Sequence, residues 1–203
     1  MDANPAAAEV DRGDRIAIWA ILIVGMFVGG LVAGLGLVNA VFRLLDPSRF
    51  PIDLLADIPL ETGDGVIDAH GDSLLVWTDQ LTAGPLWLLT LGDLAAALAI
   101  ALVTASLGNV LWRVAQRRPF HRTVQVAALV AGCAVALGSL LAQGLGGLGR
   151  MMAAGELNDA LGGIALPAFE FQPLLPILGF GILALAYVAR AGERLQRDTD
   201  GLV

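Results

Sequence analysis

Four stretches of this chain are long, apolar and almost free of charge, and that pattern limits the fold before any other feature is read. Ile16 to Phe42 contains no Asp, Glu, Lys or Arg, Leu81 to Trp112 contains only Asp93, and Thr123 to Gly149 and Phe171 to Ala189 contain none. A charge at the centre of a bilayer costs about 2.5–3.5 kcal/mol on insertion scales. A helix rising about 1.5 Å per residue needs about 20 apolar residues to cross a hydrocarbon core of ~30 Å. The first window exceeds that length, so a tilted or emerging helix is expected. The fourth is short and carries Pro173 and Pro176 near its start, where a helix tolerates proline. The expected fold is an all-α membrane protein, a single four-span domain built as a four-helix transmembrane bundle. Its spans fall at about 16–42, 86–112, 123–149 and 171–189. The segment before span one mixes Asp2, Glu9, Asp11 and Asp14 with Arg12 and Arg15. The apolar run after it is far longer than the roughly 7–15 residues of a signal core, so a retained anchor is expected.

Composition agrees: 57% of the residues are hydrophobic and 15% charged, against about 25% charged in a soluble domain. The formal net charge of −7 argues against direct nucleic-acid binding, which requires a basic footprint. The single cysteine, Cys133, lies inside span three and cannot form an intramolecular disulfide.

The basic residues, all arginine, orient the spans. Arg12 and Arg15 precede span one, Arg113, Arg117, Arg118 and Arg122 join spans two and three, and Arg190, Arg194 and Arg197 follow span four. Only Arg43, Arg49 and Arg150 lie on the other face. The positive-inside rule makes the first face cytoplasmic and places the chain as a multi-pass protein of the inner (plasma) membrane, with both termini cytoplasmic. Trp19, Trp112 and Tyr187 then fall near the inner ends, and Trp87, Phe169 and Phe171 near the outer ends, as interfacial belts require.

The extracytoplasmic loop at about 43–85 is the one sizeable polar segment. Two apolar runs, Val66-Ile67 and Ser73 to Trp77, flank Ala69-His70-Gly71-Asp72 and suggest a short β-hairpin, while Pro47, Pro51, Pro59, Gly63 and Gly65 exclude a long helix. In the second outer loop, Met151 to Leu161 suits a short interfacial helix. From Asp46 to Asp79 there are eight acids (Asp46, Asp53, Asp57, Glu61, Asp64, Asp68, Asp72, Asp79) against Arg49 alone, so this one segment accounts for the whole net charge.

Candidate chemistry is sparse. Asp93 is the one ionisable group within a span, and such groups are functional candidates because an unpaired charge in the hydrocarbon is costly. Arg43 and Arg150, at the outer ends of neighbouring spans, are within its reach. The plainer reading starts span two at Leu94, with Asp93 as an interfacial helix cap, and it is preferred because Leu94 to Trp112 already suffices to cross. Gly144 to Gly149 matches a dinucleotide fingerprint in letters only, since it ends an apolar span and follows no strand. Gly25 with Gly29, Gly30 with Gly34, and Gly132 with Ala128 and Ala136 repeat four apart. Small residues at that spacing let helices approach closely, so these glycines are expected to pack within the bundle; the alternative is a homodimer through span one. His70 and His121 are expected on opposite sides of the membrane, and Asp64, Asp68 and Asp72 lack calcium-loop spacing, so no metal site, cofactor or catalytic residue is expected.

The cytoplasmic segments carry a resemblance. Leu111-Trp112-Arg113-Val114-Ala115-Gln116-Arg117-Arg118-Pro119-Phe120-His121-Arg122 joins spans two and three, and Arg190-Ala191-Gly192-Glu193-Arg194-Leu195 opens a tail that ends in Asp198-Thr199-Asp200-Gly201-Leu202-Val203. With the four-span layout these resemble domain-of-unknown-function family 2975 of bacterial membrane proteins. In that family a Pro-Phe segment follows span two, and an Arg-x-Gly-x-x-Leu segment with a short acidic stretch and terminal Leu-Val follows the last span. Members of that family have no established activity, and the resemblance implies a cytoplasmic partner such as a small helix-turn-helix regulator, since many of them are encoded beside one. The contact set would be Arg113, Arg117, Arg118, Pro119, Phe120, Arg122, Arg190, Gly192, Arg194 and Arg197. The same arginines also suit anionic headgroups of the lipid bilayer, at about 1 kcal/mol each. The expectation is therefore a non-enzymatic membrane regulator or sensor. The alternatives are a small transporter or transporter subunit using Asp93, or an assembly factor for a membrane complex.

Overall fold

A computed structural model describes residues 5–49, 51–59, 70–116 and 122–200. In chain order they form α1 (Pro5–Leu45), a 3-10 turn (Pro47–Arg49), β1 (Ile52–Pro59), β2 (His70–Val76), α2 (Ala83–Ala115), α3 (Arg122–Leu157) and α4 (Leu174–Asp200). Three helices contain segments long and apolar enough to cross a membrane: Ile16–Leu45, Ala83–Arg113 and Thr123–Leu157. The apolar part of α4, Leu174–Val188, is shorter.

The helices outrun the apolar windows wherever no breaker intervenes. The interfacial helix expected from Met151 to Leu161 is instead the end of α3, which continues to Leu157. Met151, Met152, Ala153 and Ala154 favour the helix intrinsically, and Ala153, Ala154 and Leu157 are buried. The chain leaves the helix through turns over Asn158–Gly163, where Gly162 and Gly163 adopt φ of 70° and 84°, a region costly for any residue with a Cβ. α4 begins at Leu174, just after Pro173, and holds Pro176 in its first turn, where a missing N–H costs no helical bond.

The chain divides into two compact units, Met1–Gly34 with Leu98–Ser139 and Leu174–Val203, and Leu35–Ala97 with Leu140–Pro173. The first is a helical unit. Its buried residues are small: Ser106, Ala115, Ala127, Ala131, Ala134, Ala136 and Ala186. A Cβ on Gly132 would lie 2.8 Å from the Leu183 side chain and 3.1 Å from its backbone nitrogen, so α3 and α4 meet at glycine. On the α1–α2 side Gly29 backs onto Thr104, and Trp19 meets Trp112 edge to face with ring centroids 5.1 Å apart.

The second is a hairpin unit. β1 and β2 pair antiparallel from Ile52↔Val76 to Leu55↔Ser73 and again at Ile58↔Gly71, with a bulge that sets Ala56 and Asp57 opposite Asp72. The hairpin differs from the sequence expectation. His70, Gly71 and Asp72, read as its turn, lie in β2, its partner strand is 52–59, and Val66-Ile67 lie outside the described residues. β1 alternates cleanly: Ile52, Leu54 and Ala56 are buried while Asp53 and Asp57 are exposed. The inward face joins Leu89 of α2, Ala153, Ala154 and Leu157 of α3, and Ala165 in one apolar core. The free edge of β1 is covered by the loop after α3, through Leu166 N–H to Leu55 O at 2.8 Å and Asp57 N–H to Ile164 O at 3.3 Å. An edge so paired cannot template a further strand.

Candidate functional site

Five charged residues of the hairpin unit, Arg43, Asp53, Asp93, Arg150 and Glu170, line a cavity of about 290 Å³. It is lined by the last turn of α1, the first residues of β1, the middle of α2's first half, α3 from Ala142 to Arg150, and Glu170. Glycine builds its wall. A Cβ on Gly92 would lie 2.7 Å from Gly146 N, and one on Gly149 would lie 2.8 Å from Leu89 N, so α2 and α3 approach backbone to backbone. The Gly144–Gly149 run thus serves helix contact and lies wholly inside α3, with no strand before it, as a dinucleotide loop would need.

Asp93 sits on this cavity. α2 starts at Ala83, so Asp93 lies inside the helix and the cap reading is corrected: Gly84, Pro85 and the apolar residues after them extend the helix N-terminally. The actual capping position is Thr82, whose N–H and hydroxyl both donate to the Glu156 carboxylate, the amide at 3.0 Å. A carboxylate there complements the helix dipole as well as the free N–H groups. Asp93 Oδ2 accepts from Arg43 Nη1 at 2.5 Å, one of the two partners that the sequence placed within reach. The Arg43 side chain is 16% exposed and that of Asp93 41%, so the pair is semi-buried and each charge offsets the other's desolvation.

The pair leaves donors over. Arg43 Nε is buried with no acceptor among the described residues, and so is Gln143 Nε2. Gln143 has its orientation set, because its Oε1 accepts from Gln172 N–H at 2.7 Å and the amino group must then face the other way. A buried donor without an acceptor costs about 1–3 kcal/mol. Arg150, Asp53 and Glu170, also on the lining, have no hydrogen bond or ion pair among the described residues. Of this set the sequence singled out Asp93, with Arg43 and Arg150 as partners. Gln143, Asp53, Glu170 and the Gly92–Gly146 contact were missed, and one signal was available: the alternation Ile52-Asp53-Leu54 marks a strand with Asp53 on its outer face.

The other sequence candidates are dispersed. Gly29 and Gly132 meet neighbouring helices, but a Cβ on Gly25, Gly30 or Gly34 would find no atom within 4 Å, which corrects their assignment to contacts within the bundle. The helices turn these three glycines away from every described neighbour. Arg113 is half-buried in the last turn of α2, and Arg190 is exposed on α4. Arg122 opens α3, and Gly192, Arg194 and Arg197 belong to α4, whereas Arg117, Arg118, Pro119 and Phe120 lie outside the described residues. Asp64 and Asp68 do too, and among the described residues no group of three His, Cys, Asp or Glu side chains could hold a metal ion.

Fold and site together define a class: a mainly helical protein, apolar enough in three helices to cross a membrane, with a small polar cavity beside a two-stranded sheet. Comparison with protein-family models, with curated proteins and with solved structures finds no match to this chain.

Proposed function

We propose that the chain is a four-span inner-membrane protein with cytoplasmic termini, acting as a non-enzymatic regulator or sensor through a cytoplasmic protein partner. Bilayer insertion is supported by the surface of the helices. Ile21, Phe27, Leu98, Leu107, Leu137, Leu185 and Val188 are all more than half exposed, and none of α1's most apolar stretch is buried. Water tolerates exposed apolar patches of only a few hundred Å², whereas lipid solvates them.

One observation carries the partner reading: α4 does not end with its apolar part at Val188 but continues as helix to Asp200. Arg190, Arg194 and Arg197 therefore lie on a helical extension with Glu193 among them, a predominantly basic segment suited to an acidic protein partner. Arg113 and Arg122 lie at the facing ends of α2 and α3, the same end of the expected topology. The resemblance to domain-of-unknown-function family 2975 favours a small helix-turn-helix regulator as the partner. Affinity capture from detergent-solubilised membranes, with the full chain and with a chain lacking residues 190–203, tests this. A specific cytoplasmic protein retained by the first and lost by the second is expected; equal capture, or none by the full chain, sinks the reading.

The Arg43–Asp93 pair on a polar cavity favours one second reading, a small transporter or transporter subunit in which Asp93 couples to an ion. It expects flux in proteoliposomes that falls with Asp93→Asn, and unaltered flux or none removes it.

A further inference from the structure

We propose that a groove between α2 and α3 in the helical unit holds one anionic phospholipid, with an acyl chain along the groove and the phosphate at Arg113. The proposal rests on the membrane insertion proposed above and not on the cytoplasmic partner. The groove has a volume of about 590 Å³ and is walled by Leu102, Ser106 and Asn109 of α2 and by Val126, Ala127 and Val130 of α3. Ser106 and Ala127 are buried and form its floor, while the other four are exposed. The groove exists because the two helices part. A Cβ on Gly138 would run into that of Ala99, so α2 and α3 touch there, and toward Asn109 and the start of α3 they leave the groove between them.

Length, polarity and charge along the groove match one lipid. Leu102, Ser106, Asn109 and Arg113 follow one another at the spacing of a single helix face, and α2 rises about 16 Å from the first to the last. That is about half of a ~30 Å hydrocarbon core, the depth of one leaflet. A membrane-spanning helix would need a groove twice as long, whereas this one closes at Ala99 and Gly138. None of the lining residues is charged, as an acyl chain requires. The polar groups lie toward the other end. Asn109 is exposed with no hydrogen bond among the described residues, and an amide facing hydrocarbon without a partner is costly. In a glycerolipid the ester carbonyls lie just inside the phosphate, and Asn109 lies one turn inside Arg113. The Arg113 side chain is half-buried and has no acceptor among the described residues, so a phosphate there gains a charge-assisted hydrogen bond. Arg122 opens α3 at the same end. A net anionic headgroup suits these arginines better than a zwitterionic one, whose own cation they would repel.

The test is competition for the full chain, extracted in detergent and weighed by native mass spectrometry with phosphatidylglycerol and phosphatidylcholine of identical acyl chains. One phosphatidylglycerol per chain is expected to stay bound in preference to phosphatidylcholine. Arg113→Gln is expected to lower that preference about fivefold, and Arg190→Gln, at an exposed arginine of α4, to leave it within about twofold. Ala105→Phe, at an exposed lining position, fills the groove and is expected to abolish retention. Should it fail to fold, Arg113→Gln decides together with Asn109→Leu, which is expected to weaken retention about threefold or more. Equal retention of the two lipids, equal losses from Arg113→Gln and Arg190→Gln, or retention unchanged in the folded Ala105→Phe chain overturns the proposal. So does a dimer that Ala105→Phe dissociates, which gives the groove to a second copy. A chain washed from membranes by alkaline carbonate without detergent overturns insertion as well, and is thereby told apart from failure of the lipid site alone.

Discussion

The helical unit and the hairpin unit differ in the size of what they bury: only small residues in the first, leucine and isoleucine beside alanine in the second. In the helical unit the interior is Ala, Ser and Gly, and the large apolar side chains point outward: Leu185 is 71% exposed and Phe27 69%. In the hairpin unit Ile52, Leu54, Leu89 and Leu157 are inside, and the acids of β1 are outside. The same physics produces both patterns. Where the surroundings are as apolar as leucine, burying leucine gains nothing and close backbone approach decides the contacts. Where the surroundings are water, burying about 25 cal/mol per Å² of apolar surface decides them. α1, α2 and α3 each have residues in both units.

The largest effect should come from the water-type core. Leu54 is 1% exposed in the centre of the hairpin core, so Leu54→Ala is expected to cost about 2–5 kcal/mol. Hydrogen exchange should locate the loss at β1, β2 and the end of α3. Loss of protection spread equally over α4 and around Trp19–Trp112 would break the comparison, because the two units would then share one core. Next comes close approach. Gly92→Val drives a side chain into the backbone of Gly146, which cannot swing aside, for about 1–3 kcal/mol of overpacking. Gly132→Val in the helical unit meets the Leu183 side chain as well as its backbone and should lose less, because a leucine can change rotamer. Thermal unfolding in detergent ranks the two, and the reverse order contradicts the assignment of the tighter contact to Gly92.

Asp93→Asn probes the polar seam of the hairpin unit. Losing one partner costs about 3–5 kcal/mol in a fully buried pair and about 0–1 in an exposed one. At 16% and 41% side-chain exposure the loss should fall between, about 1–3 kcal/mol. The double variant Arg43→Gln, Asp93→Asn should recover part of it in the same unfolding assay, and full additivity would mean that the two groups do not interact. Gly163→Ala is expected to cost about 1 kcal/mol, the penalty for a Cβ at φ of 84°.

Much of the helical unit was legible because its signal is long. Uninterrupted apolar windows gave all four helices, with errors only at their ends. Those ends depend on local chemistry: Thr82 with Glu156 starts α2 well before Asp93, and Gly162-Gly163 ends α3 well after Gly149. The hairpin was half-legible. β2 stood out through Ser73 to Trp77, but Ile52 to Pro59 was hidden between prolines and aspartates, and its pairing across the chain segment to His70 has no local signature. The cavity was least legible. Asp93 and its reach to Arg43 follow from charge scarcity, whereas Gln143, Glu170 and Asp53 join it only through the register of α3, the loop after it and β1. Sequence spacing carries no information about such contacts.

The smallest expected effect is the most informative about the lipid-type surface. Gly30 and Gly34 form a small-residue pair on α1, and a Cβ on either would meet nothing within 4 Å. If α1 faces lipid there, Gly34→Ala should change stability by less than about 0.5 kcal/mol, or stabilise the helix slightly, since glycine in a helix interior is less favourable than alanine by about 1 kcal/mol. If a second copy of α1 packs on that stripe, Gly34→Leu must separate the helices, whereas within one chain a Cβ at Gly34 meets nothing within 4 Å. Light scattering of the detergent-solubilised wild type and Gly34→Leu therefore reads the two cases apart. Equal masses with unchanged unfolding leave the stripe facing lipid, and a fall from two copies to one with the monomer still folded makes it a contact between chains. Because the Gly29 and Gly132 contacts are internal, their variants should unfold rather than dissociate. That difference separates glycines that hold one chain together from glycines that face outward.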